Sequence, residues 1–273
     1  MRRPAAVLIL IISLFMCCSG NRGNIEDATK AYNQGDYKTA YRLIKPLADQ
    51  GLPKAQFDLG AMYDYGEGVP QDYAEAAKWY GKAAEQGYAP AQTNLGMMYE
   101  DGRGIPQDYT EAARWYRKAA DQGDVYAQYA LGFMYDKGRG VPIDNAEAVK
   151  WYRKAAEQGY APAQTNLGMM CEDGRGIPQD YTEAAKWYRK AAEQGWPTGQ
   201  GFLGSLYSFG TGVPKNDVLA HMWISLAISG LPPTSEVRKS MRKIRKIISL
   251  MMTPAQIAEA QRLAREWKPE KER

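Results

Sequence analysis

One spacing constrains this chain more than any other feature: tryptophan recurs at Trp79, Trp115, Trp151, Trp187 and Trp223, each 36 residues after the last. Glycine keeps the same period at Gly60, Gly96, Gly132, Gly168 and Gly204, as do loop glycines from Gly66 to Gly210 and prolines from Pro70 to Pro214. Such a period is the length of one supersecondary unit repeated in an array. Residues 87–123 match residues 159–195 at all but the three positions 99/171, 114/186 and 121/193. Near-identical units suit a surface that presents the same groups repeatedly and are awkward for a single catalytic centre.

Each unit reads as two antiparallel helices. In the second unit Ala91, Leu95 and Met98 fall on one face at helical spacing, predicting a first helix from about Ala91 to Tyr99. The loop from Glu100 to Gln107 then reverses the chain, with glycines that relax the backbone and Pro106 as a barrier to helix continuation. A second helix opens at Asp108, which can accept from the free amides of the first turn, and Glu111 is placed to answer it. Asp72 with Glu75, Asp144 with Glu147 and Asp180 with Glu183 repeat this arrangement. Ala112, Trp115, Tyr116 and Ala119 form the apolar stripe, and Gly123 ends it as a left-handed cap. Because one hairpin cannot bury its own apolar faces, neighbouring hairpins must stack. A glycine inside every first helix, at Gly96 and its equivalents, costs about 0.5–1 kcal/mol against alanine and predicts close approach of another backbone.

The N-terminus begins with Arg2 and Arg3, continues through an uncharged run from Ala5 to Phe15, and reaches Ser19, Gly20 and Asn21. That order is the order of a secretory signal, and the run is shorter than the roughly 20 residues that span a bilayer. Cleavage after Gly20 would release a soluble exported product, periplasmic or secreted; Cys17 or Cys18 as an acylated lipid anchor is the alternative, giving an outer-membrane lipoprotein. Removal of the leader leaves Cys171 as the sole cysteine, at a position where other units carry tyrosine; it is either a reactive thiol or a buried substitution that fits the slot. Residues 21–230 carry 22 basic and 26 acidic residues, whereas residues 231–273 carry 11 basic and 5 acidic. An acidic array therefore ends in a basic tail.

The segments Ala-Gln-Thr-Asn-Leu-Gly-Met-Met-Tyr, Gly-Arg-Gly-Ile-Pro-Gln-Asp and Glu-Ala-Ala-Arg-Trp-Tyr-Arg-Lys-Ala-Ala resemble the Sel-one-like repeat, a branch of the tetratricopeptide superfamily. The resemblance implies an all-α fold, a right-handed α-solenoid of antiparallel helix pairs, acting as a non-enzymatic interaction scaffold of the bacterial envelope or exterior. The expected organisation is a signal peptide at 1–20, an N-terminal capping helix pair at 21–51, five repeats at 52–230 and C-terminal capping helices at 231–273. The closing helix would be capped by Thr253 and Gln256 with Pro254 in its first turn.

Catalytic groups are sparse. His221 is the only histidine; it takes the position of Ala185 beside Trp223, which suggests packing, and the histidine and cysteine counts exclude the usual metal sites. No cofactor and no metal are expected. A cysteine-rich branch of the resembled family has been described as binding or hydrolysing β-lactams, and Ser240-Met-Arg-Lys243 fits a Ser-x-x-Lys pattern. The chain lacks that branch's paired cysteines and the companion Ser-Asp-Asn and Lys-Thr-Gly elements, so β-lactam hydrolysis is the lesser alternative.

The expected partners are other proteins, bound by a monomer; the acidic array and the export signal argue against nucleic acid. Arg103, Arg139 and Arg175 share one loop position, and with the first-helix positions Gln92, Asn94, Gln128, Gln164 and Asn166 they are the expected partner-binding face. In the basic segment Val237 to Met251, the residues Val237, Met241, Ile244, Ile248 and Met251 fall on one helix face. That helix either caps the last repeat or meets an anionic lipid surface or acidic partner.

Overall fold

The computed structural model describes residues 25–269; the expected signal peptide at 1–20, with Cys17 and Cys18, lies outside them. The described residues form fourteen helices and no strand. A short helix α1 (25–33) precedes α2 (Tyr37–Asp49). Five hairpins follow: α3 (Pro53–Tyr65) with α4 (Tyr73–Glu85), α5 (Ala89–Asp101) with α6 (Tyr109–Asp121), α7 (Val125–Lys137) with α8 (Asn145–Glu157), α9 (Ala161–Asp173) with α10 (Tyr181–Glu193), and α11 (Pro197–Phe209) with α12 (Asp217–Gly230). The chain closes with α13 (Glu236–Leu250) and α14 (Pro254–Glu266). None of these helices is long and apolar enough to cross a membrane. Two compact units meet after Asp124, the first ending with α6 and the second beginning with α7.

Local chemistry sets the helix ends. Asp72, Asp108, Asp144 and Asp180 each accept from two backbone amides of the first turn of the second helix, satisfying donors that have no intrahelical partner. The glutamates three residues on do not reach back to close a capping box. Glu75, Glu111, Glu147 and Glu183 instead pair with Lys78, Arg114, Lys150 and Lys186 one turn further along. A reciprocal box forms only at Thr253 and Gln256, among the capped ends described. First helices carry Pro in the first turn at α3, α5, α9 and α11. They run to Asp101 in the second unit, two residues past the expected end at Tyr99, because Gly102 adopts φ +69° and closes the helix there.

Tryptophan and tyrosine of the second helices supply the core volume: Trp79, Trp115, Trp151, Trp187 and Trp223 are all buried, as are Tyr80, Tyr116, Tyr152 and Tyr188. Close packing at the intrahelical glycines differs from expectation. A Cβ at Gly60, Gly96, Gly132 or Gly168 would fall within 2.5–2.8 Å of the tyrosine ring on the second helix of the same hairpin. These glycines make room for a ring, not for a backbone. Backbone approach occurs instead at the second loop glycine: a Cβ at Gly104 would sit 2.2 Å from the carbonyl of Tyr73, and one at Gly176 2.2 Å from the carbonyl oxygen of Asn145. The loops carrying Gly68, Gly104, Gly176 and Gly212 thus rest on the first residue of the second helix in the preceding repeat.

Candidate functional site

The polar residues expected on a binding face are built into the repeat itself. Gln92, Gln128 and Gln164 are buried, together with Gln56 and Gln200. Gln92 donates to the carbonyl of Ala84 at 3.0 Å, near the C-terminal end of α4, and accepts from Gln122 Nε2 at 2.8 Å, just past the end of α6. Gln164 does the same with Ala156 and Gln194. Gln92 and Gln164 therefore each satisfy a C-terminal helix carbonyl of the preceding repeat and tie it to the closing turn of their own. Their burial removes them from any contact surface, which corrects the expectation. Asn94 and Asn166 are half-buried against the hydroxyls of Tyr80 and Tyr152. Desolvation raises both phenols well above their ordinary range, outweighing the amide contacts.

The loop arginines are likewise engaged. Arg103 reaches the buried carboxylate of Asp64 at 3.5 Å, 39 positions earlier, and also pairs with Asp101. Arg175 pairs with the buried carboxylate of Asp136 and with Asp173. Arg139 lies over the ring of Phe133 at 5.3 Å. Half-buried acids next to tyrosine recur along the array, with Tyr116 donating to Glu100 at 2.8 Å and Tyr188 to Glu172 at 2.6 Å. Arg103 and Arg175 thus neutralise carboxylates beneath the loops and join consecutive repeats.

The exposed side of the first helices carries what is left for a partner. In the second compact unit, Tyr126, Tyr129 and Phe133 of α7, Met169 of α9, and Phe202 and Phe209 of α11 are half-buried or exposed. Phe209 stands out, 73% exposed. The inner members are held in place: Tyr129 packs on Tyr160 at 5.2 Å, and Phe202 stacks on Tyr188 at 5.0 Å. Rigid aromatic groups with one face open to solvent are the composition of interface cores. The signal was available in the repeat columns. Positions 57, 93, 129, 165 and 201 read Phe, Thr, Tyr, Thr and Gly, and positions 61, 97, 133, 169 and 205 read Ala, Met, Phe, Met and Ser. Those columns vary, whereas the buried tryptophan column and the buried alanine columns that begin at Ala76 and Ala83 stay constant.

Cys171 is fully buried, and burial pushes its thiol upward, away from the reactive thiolate. Ser240 and Lys243 are both exposed on α13. In that helix Met241 and Ile248 are buried and Ile244 is half-buried, but Val237 and Met251 of the expected apolar face are 42% and 55% exposed. Arg238 and Arg245, expected off the packing face, turn inward to the Leu231 carbonyl and the Ser225 hydroxyl. Among the described residues no group of three His, Cys, Asp or Glu could hold a metal ion.

Five successive stretches, 53–88, 89–124, 125–160, 161–196 and 197–230, match the Sel1 repeat. The chain belongs to the Sel1 repeat family. Proteins of this family are generally protein-interaction scaffolds on an all-α repeat solenoid, and the fold is typically non-enzymatic. Among solved structures, the Sel1 repeat protein from Oxalobacter formigenes is similar at 31% identity and a TM-score of 0.76, over 90% of this chain and 99% of its own. A protective antigen present in uropathogenic Escherichia coli strains, displaying an SLR fold, is similar at 34% identity and a TM-score of 0.68, over 82% of this chain. This Sel1 chain spans 56% of that antigen's length. No curated protein sequence matches the chain.

Proposed function

We propose that this Sel1 repeat protein is an exported adaptor that holds a partner protein against the aromatic side of its first helices. The observation that carries the reading is the row Tyr126, Tyr129, Phe133, Met169, Phe202 and Phe209, apolar groups that remain open at the positions where the repeats differ. Export rests on the order of charge and hydropathy in residues 2–21, and the likeness to a protective antigen supports a location outside the cytoplasm. A soluble product is favoured over a lipid-anchored one because Met16 precedes Cys17, where a lipoprotein carries a small residue.

Two experiments test this. Replacing Tyr126, Met169 and Phe209 by Ser, Gln and Ser alters exposed or half-buried groups, so the helical circular dichroism should be kept while proteins captured by the wild type are lost. Capture of the same proteins at the same affinity would refute the face. N-terminal sequencing of protein recovered from the periplasm or medium of a bacterial host should begin at Asn21. Cytoplasmic protein still starting at Met1 would refute export, and a blocked, fatty-acylated cysteine would assign the lipid anchor instead.

A further inference from the structure

The C-terminal cap forms a pocket of about 390 Å³, open to solvent, among α12, α13 and α14. Its polar lining is His221 and Ser225 from α12, Arg245 and Ser249 from α13, and Gln261 and Arg265 from α14. Ile257 and Ala264 give it an apolar wall. No acid lines it. The four described acids of this region are occupied elsewhere: Glu259 and Glu266 hold Arg262, Glu236 holds Lys239, and Asp217 faces Lys215.

Two groups there lack what their chemistry asks for. His221 is buried, at 4% exposure, yet its Nδ1 has no hydrogen-bond partner, an arrangement that is unfavourable unless something supplies the bond. Arg245 is half-buried and bonds to the Ser225 hydroxyl at 3.3 Å, a neutral acceptor that leaves its charge uncompensated. Burial and the Arg245 charge together hold the imidazole below its ordinary range. The lining is also particular to this end of the array. His221 stands where earlier repeats have Ala77, Ala113, Val149 and Ala185, and Ser225 where they have Gly81, Arg117, Arg153 and Arg189.

We infer that this cavity binds a small organic anion, a carboxylate or a phosphate ester, with its oxyanion between Arg245, Arg265 and His221 and its apolar part against Ile257 and Ala264. The volume is in the range of small-molecule sites, which combine an apolar wall with a few convergent polar groups. Guanidinium groups match both oxyanions in geometry.

Because His221 is the only histidine of the chain, untagged full-length protein gives a single imidazole Cε1–H resonance that reports on the cavity. It is titrated with phenyl phosphate, butyrate and inorganic phosphate. Phenyl phosphate or butyrate should shift that resonance saturably, raise the imidazole pKa, and bind more tightly than inorganic phosphate. A preference between the first two assigns the phosphate or the carboxylate. Arg245→Gln should weaken binding at least tenfold. Arg265→Gln, an exposed position that leaves folding intact, should weaken it several-fold. The proposal fails if neither organic anion gives a saturable shift, if inorganic phosphate binds as tightly as both, or if Arg265→Gln in the folded protein leaves the affinities unchanged.

Discussion

At the residue scale, the glycines separate three physical demands that a sequence prints with one letter. Gly96→Ala adds a methyl against the Tyr116 ring at 2.8 Å and should cost about 1–3 kcal/mol through overpacking. Gly104→Ala meets backbone at 2.2 Å and also forces φ +71° on a side chain, so its cost should exceed that of Gly96→Ala. Gly87→Ala, with φ +86° and open space around it, should cost least, about 1 kcal/mol. Urea denaturation of the three variants checks the order. Gln164→Ala leaves the carbonyl of Ala156 without its side-chain partner and the amide of Gln194 with only the Lys190 carbonyl, and should cost about 1–3 kcal/mol. The buried glutamines are where sequence reading misled: a polar residue in a repeating column looks like a surface group until both of its bonds are seen to close on helix ends.

At the element scale, helix type, hairpin phase and N-caps were legible because they depend on neighbours in sequence. Asp108 accepts from Thr110 and Glu111 as its spacing requires, and Asp108→Ala should lower stability by about 0.5–2 kcal/mol. Partner selection between elements was not legible. Nothing local distinguishes Glu111 reaching back to its cap from Glu111 pairing forward with Arg114, and the i, i+3 geometry favours the second. The loop arginines illustrate the same limit over 39 residues. Arg175 is about a third exposed while Asp136 beneath it is buried, so Arg175→Gln removes one of the two cations on that carboxylate and leaves it to Lys137 at 2.9 Å. The expected cost is about 1–3 kcal/mol, between the exposed and buried limits for ion pairs, measurable as a lowered urea midpoint. The cap helix α14 extends the logic to the array end, where Trp267 packs edge-on to Trp223 at 5.7 Å, while the inner tryptophans are covered by Lys82, Lys118, Lys154 and Lys190.

At the scale of the whole molecule, the buried tyrosines give the protein an alkaline limit. Desolvation raises Tyr80, Tyr152 and Tyr188 above the ordinary phenol value of 10.0. A raised folded-state pKa stabilises the fold fully below the unfolded value and loses that contribution as pH climbs toward the folded one. Thermal midpoints should therefore be insensitive to these groups up to about pH 9 and fall above pH 10, less steeply in Tyr188→Phe. Repetition made the fold readable and hid the site, since the columns that repeat are the ones the core uses. The proposed partner face uses the columns that differ. The central claim is that the repeated polar groups hold the repeats together while the variable aromatic groups hold the partner. The direct measurement is quantitative capture by the wild type, by the Tyr126, Met169 and Phe209 variant, and by an Arg103→Gln, Arg175→Gln variant, with thermal midpoints for all three. The aromatic variant should lose its partners at an unchanged midpoint, and the arginine variant should keep them, while folded, at a lowered midpoint. Loss of partners from the arginine variant at an unchanged midpoint, with capture by the aromatic variant intact, would contradict the account.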